Sequence, residues 1–407
     1  MRKRTLYRKP NPFVFHTLQF LSKVICTVYF RMKIVRNDLK GSSGRRVIIA
    51  NHEAAMDFLT TYAVVPSNTH AITSRAIMHT LPICSLMQAC GIIEKNQFQT
   101  SVMDLRRMRA VLDNDGILMF YPAGLMTESG MSTPIPQATG KSLRWFDADV
   151  YVAKIRGSYL SQPKWSKKIR RGRLTMDLYK LASREELAAM TNEEAEQLVE
   201  QHMAFDAYRY NDAQKIPYEN GDHIEGLENV LYQCPVCGQE FTMTAVKKNT
   251  LSCSACGYTV QSDVYGMLTA QNGHETVFRY PSDWHAHIEE NVRRHIQDHP
   301  DYHLETQATI LQINEKRHRF EPVGEGLVAL DPGCFRIDGM LRGSPFRQEF
   351  STRDFPMLPF KPGKCFEIQH GSEIYRIQPN DGRIVMKWIL TLKTAYQLRN
   401  RLVPNQT

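Results

Sequence analysis

The chain has 407 residues, 42% of them hydrophobic and 23% charged, a globular balance that excludes collagen, low-complexity disorder and a polytopic membrane protein. Nine cysteines are too sparse for a disulfide scaffold. The net charge of +9 sits entirely in residues 1–40, where ten Lys/Arg face a single acid, Asp38, so a local anionic partner is expected, either a membrane surface or nucleic acid.

Residues 1–36 read as a basic arm. Arg2, Lys3, Arg4, Arg8 and Lys9 precede a stretch over 13–30 in which His16, Gln19, Lys23 and Thr27 recur at helical spacing. Phe13, Phe20, Leu21, Val24 and Val28 fall mainly on the other side. The stretch is too polar for a membrane span of ~20 apolar residues. Two readings stay open. The helix lies on an anionic membrane, each cation contributing ~1 kcal/mol, or it buries its apolar face on the protein's own core. Gln19 and Lys23 interrupt the apolar region and no small-residue cleavage site follows, so a signal peptide is not expected.

Residues 37–215 alternate strand and helix patterns. Val47–Ala50 reads as a buried strand and a helix is expected from about residue 54. A helix over 101–113, strands at 117–121 and 150–153, and an acidic helical stretch over 184–206 follow. The pattern predicts an α/β domain with a central sheet flanked by helices. Residues 216–230 read as a linker and 231–262 as a cysteine module. Residues 270–407 read as a β-rich accessory domain of short strands. Its hairpin carries Phe366 and Ile368, a turn at His370-Gly371-Ser372, then Ile374, Tyr375 and Ile377. Its closing helix places Val385, Trp388, Ile389, Leu392 and Tyr396 on one face. The order of elements resembles pleckstrin-homology or GRAM-type domains, which bind lipid headgroups or proteins; another β-barrel or sandwich fits the pattern nearly as well. His285 and His287 are expected to be exposed.

Asn51-His52-Glu53-Ala54-Ala55-Met56-Asp57 follows the first buried strand. Five residues along an ideal helix leave two side chains ~140° apart. His52 and Asp57 therefore meet only if the histidine lies on the strand-to-helix turn and the aspartate in the first helical turn. A carboxylate on one imidazole nitrogen fixes the tautomer and frees the other nitrogen to take a proton from a hydroxyl. No serine or cysteine nearby has a nucleophile setting, which favours direct attack by a bound alcohol. The bland reading of the pair alone is a capping histidine and a solvated aspartate.

With its surroundings, the motif resembles that of the glycerolipid acyltransferases of the lysophosphatidic-acid-acyltransferase-like group, whose first block is Asn-His-x4-Asp. The segment from Arg75 through Leu81-Pro82 to Cys90-Gly91 resembles the approach to the second block. Lys95 stands where the family has a phosphate-binding arginine. Phe120-Tyr121-Pro122-Ala123-Gly124 resembles the third block, and Ile155-Arg156-Gly157 the last strand and its glycine. The likeness spans about residues 30–210. It implies that His52 is the general base and Asp57 its orienting partner. It also implies that Arg75, Lys95, Tyr121, Pro122 and Gly124 line the substrate site, and that the donor is a fatty acyl thioester of coenzyme A or acyl carrier protein. Ala123, Leu125 and Met126 replace the family's Glu, Thr and Arg, so the acceptor need not be lysophosphatidic acid. Lys164-Trp-Ser-Lys167-Lys168-Ile-Arg170-Arg171-Gly-Arg173 is either a headgroup or coenzyme A contact or a solvated loop.

Cys234-Pro-Val-Cys237-Gly and Cys253-Ser-Ala-Cys256-Gly are two Cys-x2-Cys knuckles 15 residues apart. Four thiolates satisfy a tetrahedral Zn²⁺ with no open position, so a structural site resembling a zinc ribbon is expected, with two redox disulfides as the alternative. Gly238 and Gly257 are expected to relieve crowding at the knuckles. Reduced thiolates imply a cytosolic setting.

Together these features predict an O-acyltransferase, peripheral or monotopic on the cytoplasmic face of an anionic membrane, taking a lysolipid-type acceptor. The alternatives are a catalytically silent lipid-binding scaffold and a nucleic-acid binder using the ribbon; nucleic acid has no supporting fold signature.

Overall fold

The computed structural model describes residues 6–97, 100–220, 222–247, 249–371 and 373–400. Arg2, Lys3, Arg4 and the turn residue Ser372 lie outside these. The chain forms two compact units, the described residues of 1–164 and 169–221 in one and those of 165–168 and 222–407 in the other.

The first unit opens with α1 (Pro12–Val24), started by Asn11, whose side chain accepts from the Val14 N–H, and by Pro12 in the first turn. A π-helical turn over Ile25–Tyr29 follows. The remaining elements are β1 (Lys33–Asn37), β2 (Arg46–Ala50), α2 (Asp57–Tyr62), β3 (Thr69–Ser74), α3 (Arg75–Thr80), α4 (Cys84–Ala89), β4 (Ile93–Lys95), α5 (Val102–Asp113), β5 (Ile117–Phe120), α6 (Thr139–Phe146), β6 (Asp149–Arg156), α7 (Ser158–Ser161), β7 (Thr175–Ala182), α8 (Arg184–Ala189), α9 (Asn192–Met203) and α10 (Ala207–Gln214). Capping boxes at Ser101/Asp104, Ser183/Glu186 and Thr191/Glu194 start α5, α8 and α9.

The seven strands form one sheet in the order β1-β7-β6-β2-β5-β3-β4. β6, β2, β5, β3 and β4 are mutually parallel, and β7 runs antiparallel to β6. β2 is central and covered on both faces, which is why it reads as an unbroken apolar run. Ile48 packs with Phe15, Tyr62 and Met119 on one face; Val47 and Ile49 pack with Leu118, Leu143 and Val199 on the other.

The arm helix seats a narrower stripe than its pattern suggested. Phe15, Ser22 and Cys26 are buried. Gln19, expected on the solvent side, donates its Nε2 to the carbonyls of Tyr62 and Val65. Phe13 (81% exposed), Phe20 (66%) and Val28 (66%), with Leu21 and Val24, face outward, so this apolar face does not bury itself on the unit's own core. No described helix is long and apolar enough to cross a membrane.

The second unit contains β8 (Met243–Lys247), β9 (Thr250–Cys253), β10 (Thr259–Ser262) and β11 (Leu268–Ala270), a small antiparallel sheet. Next comes α11 (Pro281–Asp298), an 18-residue helix in a region expected to hold only short strands and turns. Its signal is the four-residue recurrence of Trp284, Ile288, Val292 and Ile296, all buried. His285, expected outside, is buried on the same helix.

A second seven-stranded sheet follows: β12 (Leu304–Asn314), β13 (Arg319–Leu330), β14 (Cys334–Leu341), β15 (Ser344–Ser351), β16 (Phe360–Lys361), β17 (Cys365–His370) and β18 (Glu373–Pro379), closed by α12 (Val385–Arg399). Its order is β15-β14-β13-β12-β18-β17-β16. A four-strand and a three-strand meander thus meet where β12 pairs with β18. β12 and β13, at 11 and 12 residues, are longer than the short strands expected.

Residues 216–230 are no solvated tether. Ile216 and Tyr218 are buried in the first unit, and Ile224, Leu227 and Val230 are buried in the second. The basic cluster is divided: Lys167, Lys168 and Arg173 are exposed, while other members face inward. Trp165 joins the second unit's core, Arg170 is buried and donates to the Leu160 carbonyl, and Arg171 donates to the carbonyls of Tyr29 and Val28 at the end of the π turn.

Candidate active site and four-cysteine centre

The parallel strands of the first unit all deliver their carboxyl ends to one edge of the sheet, the usual place for a ligand in open α/β folds. Asn51 and His52 leave β2 there, Arg75 leaves β3, Lys95 ends β4, Tyr121 and Pro122 leave β5, and Gly157 leaves β6.

Residues 51–56 are non-helical and α2 begins at Asp57, later than the expected position 54. That delay lets the pair meet. His52 Nδ1 lies 3.0 Å from Asp57 Oδ2. The same oxygen accepts the main-chain N–H groups of Glu53 at 2.6 Å and Ala54 at 2.8 Å. Asp57 is wholly buried and its Oδ1 has no hydrogen-bond partner. The N–H groups of Glu53 and Ala54 are therefore engaged with Asp57. The His52 side chain remains 20% exposed.

Tyr121 stacks on the His52 ring, centroids 4.3 Å apart at 25°. Its hydroxyl lies 3.0 Å from Thr61 Oγ1, which also reaches the Asp57 carbonyl at 2.8 Å. Burial, then the Asp57 charge, raises the Tyr121 pKa, so this phenol stays protonated. The imidazole is held at its edge by Asp57 and on its face by Tyr121.

A cavity of about 20 Å³ opens beside His52, walled by Pro122, Ala123, Met131, Ile135, Met203 and Phe205 among others. That is room for about one water molecule. Gly124 holds a left-handed conformation (φ +68°), and its carbonyl accepts from Gln97 Nε2. Leu125 is buried.

Arg75 and Lys95 stand apart from the pair. Ser74 is in register with Lys95, so the two cations share one corner, two and three strands from β2, or roughly 10–14 Å at ~4.8 Å per strand. Burial lowers the Lys95 pKa, opposed by Asp104. No carboxylate pairs with its ammonium among the described residues.

Four residues with structural weight in this site escaped the sequence reading as functional candidates: Asn51, Glu53, Thr61 and Lys154. Asn51 Oδ1 accepts the Ile155 N–H and its Nδ2 donates to the Ile155 carbonyl, both at 2.7 Å. An asparagine and a glutamate flanking the histidine were the only local signal; Lys154, 102 residues on, had none.

In the second unit, one ligand atom from each of Cys234, Cys237, Cys253 and Cys256 lies within 4.8 Å of the others. Cys234 and Cys256 sulfurs are 3.7 Å apart, and Cys237 and Cys253 sulfurs 3.8 Å. Four sulfurs at ~2.3 Å from a tetrahedral metal ion would be ~3.8 Å apart, so the donor set fits an ion. Burial opposes the Cys253 thiolate, but Thr242 and the N–H groups of Ala255 and Cys256 outweigh it and bring the thiol down to about 6. Gly238 and Gly257 adopt φ of +72° and +78°, and a Cβ added at either would meet open space. Their role is the left-handed turn, not the relief of crowding.

Comparisons with family models and with curated proteins return no match. Among solved structures, the 1-acyl-sn-glycerophosphate (LPA) acyltransferase PlsC from Thermotoga maritima is similar with a TM-score of 0.42. Identity is 15%, over 51% of this chain and 82% of that one. The likeness is one of fold.

Proposed function

We propose that the first unit is an O-acyltransferase moving a fatty acyl group from a coenzyme A or acyl-carrier-protein thioester to the hydroxyl of a glycerolipid or lysophospholipid. The observation that carries this reading is the His52 imidazole, still part exposed, held by buried Asp57 at the carboxyl edge of the sheet. His52 Nε2 takes the proton of the acceptor hydroxyl as its oxygen bonds to the thioester carbonyl carbon. Asp57 stabilises the imidazolium across 3.0 Å. The tetrahedral intermediate collapses, the carbon–sulfur bond breaks, and the imidazolium returns its proton to the leaving thiolate. Lys95, half-buried and without a carboxylate partner among the described residues, suits a phosphate of the donor or acceptor, with Arg75 beside it.

The outward apolar face of α1 supports docking on an anionic membrane surface on the cytoplasmic side. Arg8, Lys9, Lys23, Arg31 and Lys33 flank it, each contributing ~1 kcal/mol near anionic lipid. In the second unit, Cys234, Cys237, Cys253 and Cys256 would hold Zn²⁺, which supplies a structural cross-link when bound.

The test pairs acyl-CoA with a panel of lysolipids. Wild type is expected to release coenzyme A only when an acceptor is present, and His52→Ala to lose that release. Equal rates for the two proteins across the panel would end the enzyme reading.

A further inference from the structure

Proton transfer at His52 draws on the main chain of residue 53 and leaves its side chain idle. Yet Glu53 is a buried carboxyl, 3% exposed, next to the catalytic histidine. Each of its hydrogen bonds is with a donor. Oε1 accepts from Asn51 Nδ2 at 2.8 Å, and Oε2 accepts from Ser158 Oγ and from the Tyr159 N–H, each at 3.2 Å. Lys154 is the nearby cation; its ammonium caps the end of α9 by donating to the carbonyls of His202 and Ala204 at 2.8 and 2.7 Å. Burial, then Asp57, pushes the Glu53 carboxyl up to about 8, while the Tyr159 N–H, Ser158 and Lys154 pull it down.

We propose that Glu53 is a positioning residue for His52: its carboxyl fastens the catalytic turn to the end of β6 through Asn51, Ser158 and Tyr159, and so sets the two main-chain N–H groups that grip Asp57. Its activity readout rests on the acyl-transfer reading; its structural readout does not.

The geometry demands an acceptor toward Asn51 Nδ2 and another toward the Tyr159 N–H; a carboxyl supplies both whether or not it is ionised, because its proton can go to the Ser158 hydroxyl oxygen. Asn51 cannot turn its amide round, because the Ile155 main chain fixes both ends of it. A glutamine at 53 therefore fails in either orientation. With its NH2 toward Asn51, donor meets donor; with its NH2 toward Ser158 and Tyr159, the serine hydroxyl can accept but the Tyr159 N–H loses its acceptor. An isosteric change thus leaves a buried donor unpaired.

The experiment uses the full chain, wild type and Glu53→Gln. Amide hydrogen exchange at residues 53 and 54 is expected to quicken about tenfold in the variant, with β5 unchanged. The kcat for acyl transfer falls by a similar factor while the acceptor KM stays within about twofold, because a misplaced base affects the chemical step rather than binding. Wild-type exchange at the two amides in Glu53→Gln overturns the proposal whether or not transfer occurs. Faster exchange in a protein whose wild type transfers nothing upholds the positioning role and removes the enzyme reading instead. If Glu53→Gln does not fold, Ser158→Ala carries the test. It removes one of the three contacts, so exchange at the same amides is expected to rise about threefold, and unchanged exchange overturns the proposal.

Discussion

Asp57→Asn separates the charge of the carboxylate from its hydrogen bonds. The asparagine oxygen can stay where Oδ2 is and keep the Glu53 and Ala54 N–H groups. The NH2 then takes the place of Oδ1, which has no partner in the wild type. The folding cost is therefore that of one buried unpaired donor, about 1–3 kcal/mol. The catalytic cost is larger. With Nδ1 and Oδ2 3.0 Å apart, the charge centres of an imidazolium–carboxylate pair lie ~4 Å apart, an interaction of about 4 kcal/mol at an effective dielectric near 20. At ~1.4 kcal/mol per decade, kcat should fall by about a thousandfold. The assay is release of coenzyme A thiol at saturating acceptor, with His52→Ala as the baseline. An Asp57→Asn protein that folds and runs within tenfold of wild type, while His52→Ala is dead, would show that this carboxylate does not stabilise the imidazolium.

Two further outcomes follow from packing and charge. Metal analysis should return one zinc per chain, and Cys253→Ser should lose it. Because Trp284 of α11 donates to the Gln233 carbonyl and shares a core with Cys234 and Cys253, chelation should raise hydrogen exchange in α11 as well as in 231–262; exchange confined to the cysteine knuckles would refute the shared core. Glu196 receives the Gly140 N–H at 2.6 Å. Burial, with Glu200 adding and Gly140 opposing, lifts its carboxyl to about 7. A carboxyl raised in the folded state contributes stability that is full below about pH 4.5 and is lost as pH rises through 7. Glu196→Gln escapes that loss, so its Tm advantage over wild type should grow between pH 5 and 8, and a constant difference would refute the assignment.

β2, β5 and β6 were legible because they are buried on both faces and so read as apolar runs. That signal is local and survives without tertiary context. The two-knuckle spacing exposed the cysteine centre for the same reason. α11 is equally periodic at Trp284, Ile288, Val292 and Ile296, although its region was expected to hold short strands and turns. The cysteine module also proved to be no appended piece. Lys387 of α12 pairs with Glu240 at 2.6 Å and Lys393 with Glu289 at 2.8 Å, tying module and helices into one core. Such pairs join residues far apart in the chain, and no spacing rule marks them.

The amino-acid order alone placed His52 just past a buried strand and grouped the four thiols, since each depends on neighbours a few residues away. Only the folded chain decided that Asp57 turns one oxygen toward three donors, that Tyr121 lies flat on the imidazole, and that α1 turns Phe13, Phe20 and Val28 outward. Those outcomes depend on what packs against each surface, and the packing partners come from distant stretches of the sequence.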